Sequence, residues 1–419
     1  MSVVNSNLKI LNRDEFRPWD ILTLAGENDF IYITPKYQLL GRNIKQKINL
    51  TPKNFDSRSN LTNSLKNLTL LDGRLSRNDN YKFLIEPLPI AFMPLQYQIG
   101  NPSEVFIPSE LIYLETSGIG WQLTIDDNLS DLDDLYDSSK HTYTKSPDEF
   151  CLKSSTDFDK FKYAISEIVQ DISAKKISKV VLARRVEIEA NIEFSKVSAL
   201  QRLKALYPSC TLFSMDGFIG ASPELLLKKT FDQIFLKPLA GTIGSSGTQQ
   251  GDLKAIDELT NSAKNQLEHS IVVKWLLDKL GPICSEVKVS DKPEILTLRN
   301  VIHLATPIEA TLFDNNLTLL ELIATIHPTP AVGGVPDETF FKYQNKYELY
   351  DRGRYAGPIG WINSDGNGEF YLGIRSAQVS QNRATIWAGV GIVAHSDPES
   401  ELIETQLKLQ AMLSCLVRP

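Results

Sequence analysis

The sequence predicts an α+β fold in which large antiparallel β-sheets are sandwiched by helices. Short runs rich in β-branched and aromatic residues, such as FIYITP and GWQLTI, are separated by turn clusters and predict strands joined as hairpins. Segments with apolar residues at helical spacing are inserted between these hairpins, without the regular alternation of strand and helix that parallel sheets require. The order of elements therefore favours antiparallel pairing.

Composition and charge argue against several classes of protein. The 419 residues suffice for a large core or for two domains, and 42% hydrophobic with 23% charged residues is ordinary for a globular protein. The net charge of −7 argues against a nucleic acid or an anionic membrane as partner. No apolar run approaches the ~20 residues that span a bilayer, and the first residues do not resemble a signal peptide, so we expect a cytoplasmic protein. The four cysteines lack ligand-like spacing, which predicts neither a disulfide nor a zinc site.

The first 150 residues are rich in predicted strands and carry no chemical motif. We expect this region, residues 1–150, to pack on a core domain that follows it. The acidic run at 126–137 has no glycine at the position that a calcium loop requires, so it is interpreted as a solvated linker. A domain boundary is expected between Asp137 and Asp157.

From Asp157 onward the predicted elements are dense. Apolar residues at helical spacing predict a helix from Asp157 to about Lys176, and the run KVVLARRVEIEA predicts a strand over 179–190. The next expected elements are a helix over 194–207, short strands over 211–216 and 218–222, a hairpin of ELLLKKT with QIFLKPLAGT that turns at 231–233, and helices over 251–263 and 264–281, the last with Gly281 as its C′ glycine.

The following segment continues this pattern of strands and helices. Strands are predicted around 287–289 and over 300–310, followed by a helix over 317–326. The segment HPTPAVGGVP places prolines around two glycines, which predicts a fixed turn with exposed backbone. A helix then reaches about Tyr350, and a hairpin over 360–379 turns at 364–368.

The last long helix is the most informative element of the sequence. Ser396 and Glu399 form a capping-box pattern with Pro398 in the first turn, so the helix is predicted to begin near Asp397. The preceding run AGVGIV predicts a glycine-lined strand that delivers the helix N-terminus beside exposed backbone. Such a terminus can bind an anion.

Two carboxylates and an ammonium share one face of this helix. At about 100° per residue, Glu401, Glu404 and Lys408 fall on one stripe. Such a stripe is usually solvated and stabilises a helix only slightly. Beside a glycine-lined strand, however, the carboxylates can hold a hard cation and the lysine a second anionic group. The pattern suits a small polyanionic ligand that a divalent metal bridges to the protein.

Other candidate residues are weak when taken singly. Lys179 at the start of a strand and Glu224 after a proline are ordinarily a solvated lysine and part of a surface turn. Glu268 and His269 lie on an apolar helix, where a histidine is more often a satisfied core residue than a ligand. Arg375 is expected within a buried strand, an unusual place for an unpaired charge. Together these residues supply a base, an acid, metal ligands and cationic anchors.

The motifs of this region identify a family resemblance. Residues 157–412 contain, in order, KVVLARR, GASPELL, LAGT, the EH of the 264–281 helix, HPTPAVGG, DRGRYAGPIGW, GIRSA and AGVGIVAHSDPESELIET. The chain resembles the chorismate-utilising enzymes, the family of isochorismate, salicylate, anthranilate and aminodeoxychorismate synthases. The resemblance implies an anthranilate synthase component I-like fold, with a chorismate-binding catalytic domain over 157–412.

The resemblance also implies a magnesium site. Mg²⁺ is expected on Glu268 and Glu404, with Glu401 nearby through water, and would bridge a carboxylate of chorismate. Two protein carboxylates with retained waters suit its octahedral coordination. Family members often carry an acid where this chain has Asn265, so the surroundings of the metal are expected to hold one charge fewer.

Substrate-binding positions follow from the same motifs. The resemblance implies that Arg375 and Lys408 anchor the carboxylates of chorismate, and arginine suits planar bidentate recognition. Tyr355 is expected at the same end of the ligand. The other expected substrate-binding positions are Gly241, Thr242, His303, Ala331, Gly389 and Gly391.

The residue at position 179 favours one branch of the family. Members that add ammonia have a glutamine there, whereas this chain has Lys179. A lysine beside a metal and other cations can act as the general base that takes a proton from water attacking C2 of the ring. Glu224, kept protonated by burial, would protonate the departing C4 hydroxyl. The resemblance therefore implies an isochorismate synthase, an isomerase with chorismate as substrate and Mg²⁺ as cofactor.

Two alternatives stay open at this point. Salicylate synthases share the lysine and then eliminate pyruvate; they tend to carry threonine where this chain has Ala331, while Tyr355 does not distinguish the two. A non-catalytic chorismate-binding paralogue is the second alternative. We expect no glutaminase subunit and a monomer or weak dimer. Whether the product enters menaquinone, phylloquinone, siderophore or salicylate biosynthesis is left open.

Overall fold

The computed structural model describes residues 7–14, 19–51, 61, 65, 83–125 and 147–417. The acidic run predicted as a linker, and residues 137–146 of the expected domain boundary, lie outside these residues. The strands of the described residues, numbered in chain order, are β1 Asn7–Asn12, β2 Phe30–Ile33, β3 Tyr37–Leu50, β4 Ile90–Pro94, β5 Ser103–Glu115, β6 Ile119–Thr124, β7 Phe150–Ser154, β8 Lys179–Ala190, β9 Thr211–Met215, β10 Phe218–Ser222, β11 Leu225–Thr230, β12 Gln233–Lys237, β13 Leu239–Gly244, β14 Cys284–Val289, β15 Glu294–Thr297, β16 Val301–Ala305, β17 Ile308–Leu312, β18 Gly334–Val335, β19 Pro358–Asn363, β20 Gly368–Leu372, β21 Ser376–Ser380 and β22 Arg383–Ile392.

The described α-helices lie close to their predicted positions and are α1 Phe158–Ser173, α2 Lys196–Leu206, α3 Gln249–Asn261, α4 Ala263–Leu280, α5 Leu319–Ile326, α6 Asp337–Tyr347 and α7 Pro398–Leu416. Helix α1 ends before the predicted Lys176 because Lys175 adopts a positive φ of 58°. Helix α6 ends before the predicted Tyr350 because Glu348 is extended and its carboxylate accepts a hydrogen bond from the Ala183 backbone at 2.8 Å.

The strands form one 19-stranded antiparallel sheet and a separate three-stranded sheet of β13, β16 and β15. Strands from the first part of the chain belong to the large sheet, since β4 pairs with β19 and β2 pairs with β9. Buried side chains cover both faces of this sheet. In β22, Ile386 and Ala388 pack with α7, whereas Trp387 packs in the cluster that contains α4 and α5. The predicted α+β class with helix-covered antiparallel sheets is confirmed.

The LAGT segment does not continue the β11–β12 hairpin as predicted. Pro238 separates β12 from β13, and a proline cannot donate to a ladder, so the chain leaves the large sheet there. Strand β13 pairs with β16 instead, which places Thr242 opposite His303. This change of sheet brings LAGT to the candidate site.

The β8–β22 pairing forms the frame of that site. Its antiparallel register runs from Arg383 opposite Glu189 to Ile392 opposite Val180. It places Lys179, at the first position of β8, near the end of β22 that leads into α7. The glycines at 389 and 391 lie on the same face of β22 as Trp387, because side chains alternate along a strand.

Three local predictions are wrong in informative ways. Arg375 is not within a strand: it lies between β20 and β21 with a positive φ of 49°, which turns the chain at this point. The carboxylate of Asp397 caps α7 by accepting a hydrogen bond from the Ser400 backbone at 2.9 Å, whereas Ser396 accepts one from the Val393 backbone. The predicted capping box is therefore absent. Gly281 ends α4 with a right-handed φ of −49°, not with the left-handed conformation typical of a C′ glycine.

Among the described residues, no helix combines the length and the apolar character needed to cross a membrane.

Candidate active site

A cavity of about 70 Å³ lies between β8, β22, the three-stranded sheet and α4. Its lining contains many of the residues singled out in the sequence: Glu224, Thr242, Glu268, His303, Ala331, Tyr355, Arg375, Gly389, Gly391 and Lys408. Of the remaining candidates, Lys179 and Glu404 form ion pairs with the lining residues Glu268 and Lys408. Glu401 pairs with Lys264, which does not line the cavity, and Gly241 lies in β13 next to the lining residue Thr242.

Two glycines of β22 make room for the charged groups. A Cβ atom at Gly391 would lie 2.1 Å from Glu268 Oε1 and 2.9 Å from Lys179 Cε, so both side chains would have to move. A Cβ atom at Gly389 would lie 3.0 Å from the Tyr355 hydroxyl, a tight contact. Glycine at these positions lets a carboxylate, an ammonium and a phenol approach the strand closely.

Lys179 is fully buried, contrary to the ordinary expectation for a lysine at a strand end. Its side chain is 0% exposed, and its Nζ lies 2.9 Å from Glu268 Oε1. A buried ammonium requires such a partner, since desolvation of an unpaired charge is costly. The amine of Lys179 thus lies against Glu268 of α4, which itself lines the cavity.

Each of the three glutamates expected to surround a metal is paired with a lysine. Lys179 contacts Glu268, Lys408 Nζ lies 2.7 Å from Glu404 Oε1, and a further lysine, Lys264, lies 2.5 Å from Glu401 Oε1. Lys408 also donates to the backbone oxygen of β22 residue 389 at 2.9 Å. The stripe on α7 therefore faces inward and is not solvated.

Sequence reasoning missed Lys264. Its position four residues before Glu268 places both side chains on one face of α4, and this spacing was the available signal. Burial acts to lower the pKa of Lys264, but the Glu401, Glu404 and Glu268 carboxylates outweigh it and raise the pKa. Lys264 is thus close to all three acids.

The acids differ in their electrostatic surroundings. Burial, reinforced by the neighbouring Glu404, raises the pKa of Glu401 to about 7. Burial also acts to raise the pKa of Glu268, but Lys179, Lys264 and other cations hold it below its ordinary value. The pKa values differ because a neighbouring carboxylate, Glu404, acts on Glu401, whereas several lysines act on Glu268.

Carboxylate oxygens suit a cation that prefers oxygen ligands, although these three side chains do not converge on one position. Within the described ranges, no three His, Cys, Asp or Glu side chains form a ready metal-ligand cluster. The Glu401 side chain is nevertheless fully buried beside Lys264, and carboxylate oxygens are the ligands that Mg²⁺ prefers. The donor set therefore suits Mg²⁺ once the lysine contacts are released.

Glu224 is buried in the cavity wall and is not part of a surface turn. It is 4% exposed, and its Oε1 accepts a long hydrogen bond of 3.4 Å from the Leu239 backbone. Burial raises the pKa of Glu224 to about 8. The carboxyl group is therefore mostly protonated at neutral pH and can donate a proton.

Arg375, His303 and Thr242 form a buried hydrogen-bonded chain. Arg375 Nη2 lies 2.7 Å from His303 Nε2, and Thr242 Oγ1 lies 3.0 Å from His303 Nδ1. Because a guanidinium only donates, Nε2 must accept, so the imidazole is neutral with its proton on Nδ1. Burial, together with Arg375, keeps the pKa of His303 well below its ordinary value. Arg375 Nη1 is buried without any hydrogen-bond partner and is free to bind an anion.

Two cavity residues, Arg352 and Trp387, were not identified from the sequence. The Trp387 ring stacks on Tyr355 with centroids 5.7 Å apart, and Arg352 pairs with Glu348 at 2.5 Å. Arg352 also donates to the backbone oxygens of β8 residue 181 and of residue 332 in the proline-glycine loop. The available signal for Arg352 was its place in the motif DRGRYAG, directly before a predicted buried strand, where a charged side chain needs partners.

His269 and Asn265 connect α4 to LAGT. As expected for a satisfied core histidine, His269 contacts the Ala240 backbone oxygen at 3.1 Å and Thr306 Oγ1 at 2.6 Å. The Asn265 carboxamide oxygen accepts a hydrogen bond from the Thr242 backbone at 3.2 Å. Asn265 thus holds β13 in place.

Comparisons with known proteins agree with this geometry. The family model of the chorismate binding enzymes matches residues 114–417, well over half of the chain. The isochorismate synthase MenF of Bacillus subtilis is 36% identical over 278 residues, which cover 65% of this chain and 59% of MenF. The salicylate biosynthesis isochorismate synthase of Pseudomonas aeruginosa is 36% identical over 256 residues, which cover 60% of this chain and 53% of that protein. The matches thus span little more than half the length of these relatives.

A solved structure extends the likeness to nearly the whole chain. It is that of a Bacillus anthracis protein assigned as the 2,3-dihydroxybenzoate-specific isochorismate synthase DhbC, and it is 25% identical with a TM-score of 0.79. The superposition covers 94% of this chain and 98% of that protein. Together with the match over residues 114–417, this shows that the chain belongs to the chorismate-binding enzyme family.

Proposed function

We propose that this protein is an isochorismate synthase that converts chorismate to isochorismate in a Mg²⁺-dependent reaction. The observation that carries the proposal is one cavity lined by Glu224, a buried carboxyl group with a raised pKa, by Arg375 with an unpaired donor, and by Glu268, which pairs with the buried Lys179. A general base, a general acid and an anion anchor are the groups that the reaction requires.

The reaction exchanges one hydroxyl for another. Lys179 in its amine form takes a proton from water as the water oxygen bonds to C2 of the ring. The C1–C2 double bond moves to C1–C6, the C5–C6 double bond moves to C4–C5, and the C4–O bond breaks. Glu224 gives its proton to the departing hydroxyl, which leaves as water. One water enters and one leaves, so no other reactant is needed.

Glu268 and Glu404 would hold the Mg²⁺, with Glu401 nearby through water. When bound, the ion would neutralise a substrate carboxylate and act as a Lewis acid toward it.

Arg375, Lys408 and Tyr355 would anchor the remaining carboxylate of chorismate, together with the backbone around Gly241, Gly389 and Gly391. His303 and Thr242 fix the Arg375 guanidinium from behind, which leaves Nη1 for the ligand. Ala331 would line the pocket beside the ring. We also propose a cytoplasmic monomer or weak dimer without a glutaminase subunit.

Replacing Arg375 by methionine is expected to raise KM for chorismate by roughly 10²-fold or more, because it removes a buried charge that pairs with a substrate carboxylate. Arg383→Met is the matched control, since Arg383 is 72% exposed on β22 and pairs with Glu189 at 3.0 Å. Initial rates over a range of chorismate concentrations measure the effect. An unchanged KM in Arg375→Met would contradict the anchoring role.

The proposed function is tested by incubating the purified protein with chorismate and Mg²⁺, without ammonia, and measuring products by chromatography alongside a pyruvate assay. Isochorismate in equilibrium with chorismate, without pyruvate, is the expected result. Salicylate with equal pyruvate would instead identify a salicylate synthase and contradict the inference from Ala331. Turnover only after ammonia is added would contradict the role of Lys179, and chorismate binding without turnover would identify a non-catalytic paralogue.

A further inference from the structure

Lys264 differs from the other two lysines of the charged cluster. The Lys179 side chain is 0% exposed, and Lys408, which is 20% exposed, is held by a hydrogen bond to the β22 backbone. The Lys264 side chain is 21% exposed, and its close contact is with Glu401 at 2.5 Å. A long aliphatic side chain of this kind can keep its stem packed while its ammonium moves to water.

The charges of the cluster are balanced without any ligand. Three carboxylates, those of Glu268, Glu401 and Glu404, each contact one ammonium. Glu401 is 0% exposed and its Oε1 lies against the Lys264 ammonium, so Lys264 supplies the positive charge that offsets its burial. A divalent cation that binds beside these acids would be repelled by the Lys264 ammonium, which already lies next to Glu401.

We propose that Lys264 is a built-in counter-ion that competes with the divalent metal and thereby weakens its binding. In the absence of metal the Lys264 ammonium neutralises Glu401, and binding of the metal requires this contact to open. The inference rests on the proposed function, because it takes the carboxylates as the metal site. Lys264 is a residue that sets metal affinity and takes no part in proton transfer.

A supporting role of Lys264 in metal binding would have the opposite effect on metal affinity. If Lys264 only held Glu401 in the orientation that the metal needs, removing it would weaken metal binding. If Lys264 competes with the metal, removing it leaves a buried carboxylate without its cation and strengthens metal binding. The direction of the change in affinity therefore separates the two.

Isothermal titration of the full chain with MgCl₂, without chorismate, tests the proposal. Lys264→Met is expected to bind Mg²⁺ about tenfold more tightly or better than the wild type, since unit charges a few ångströms apart interact strongly at a partly buried site. Lys264→Arg, which keeps the charge, is expected to bind no more tightly than the wild type. Lys274→Met is the matched control, because Lys274 lies on the same helix, is 78% exposed and pairs with Asp278.

Thermal unfolding provides a readout that a folding defect cannot imitate. Without metal, Lys264→Met is expected to unfold at a lower temperature than the wild type, and Mg²⁺ is expected to raise its Tm by more than it raises that of the wild type. Weaker or unchanged Mg²⁺ binding by Lys264→Met would overturn the inference while the proposed function stands. Absence of Mg²⁺ binding in the wild type and in Lys264→Met alike would overturn the inference together with the metal site on which it rests.

Discussion

Replacing Lys179 by arginine is expected to lower kcat for isochorismate formation by roughly 10²–10⁴-fold, the range of general base catalysis. Arginine keeps a positive charge beside Glu268, so the buried ion pair can persist. A guanidinium stays protonated at every accessible pH, however, and cannot take a proton from water. Initial rates with saturating chorismate and Mg²⁺ measure the effect.

Controls for this variant separate catalysis from folding. Lys176→Met removes a lysine that is 63% exposed and pairs with Asp171 at 2.7 Å, so its kcat should equal that of the wild type. Chorismate binding by Lys179→Arg, measured by titration, should be largely retained. A kcat of wild-type order in Lys179→Arg would show that position 179 does not carry the base.

Glu224→Gln is expected to lower kcat by roughly 10²–10⁴-fold, because an amide cannot protonate the departing hydroxyl. The pKa of Glu224 is about 8, so the wild-type carboxyl loses its proton as the pH rises through that value. Wild-type kcat should therefore decline above about pH 8, and this decline should be missing from the residual activity of Glu224→Gln. A pH profile with the same alkaline limb in both proteins would exclude Glu224 as the acid.

The same carboxyl group makes stability depend on pH. Its pKa of about 8 in the folded protein lies above the ordinary value of 4.5, so its contribution to stability is complete below pH 4.5. Between these values the folded chain binds one more proton than the unfolded chain, and the free energy of unfolding falls by about 1.4 kcal/mol per pH unit. Glu224→Gln should lack this component. Denaturant titrations of both proteins across this pH range measure the difference.

The fold was predictable because its elements carry local signals. The β-branched run of β8, the glycine-lined run of β22 and the periodic apolar residues of α1 and α7 each specify their own conformation. The stripe of Glu401, Glu404 and Lys408 also follows from helical geometry alone. The cap of α7 was predicted at the wrong residue because two adjacent side chains can each accept a backbone hydrogen bond. Asp397, not Ser396, caps the helix.

The surroundings of the candidate residues were not predictable in the same way. Taken singly, Lys179 and Glu224 had the pattern of exposed residues, yet both are buried. Arg375 was expected within a strand, but its left-handed backbone between β20 and β21 brings its guanidinium to His303. Each of these outcomes depends on contacts between segments that are far apart in the chain.

The sequence by itself determined the α+β class, the order of strands and helices, and the family motifs, since these depend on periodicity and on residue types at short spacing. Only the tertiary structure decided which charges meet. The pairing of Lys264 with Glu401 joins α4 to α7, and the unpaired Nη1 of Arg375 exists because β13 and β16 place Thr242 and His303 behind it. Burial and charge pairing are properties of the packed chain, and no local pattern encodes them.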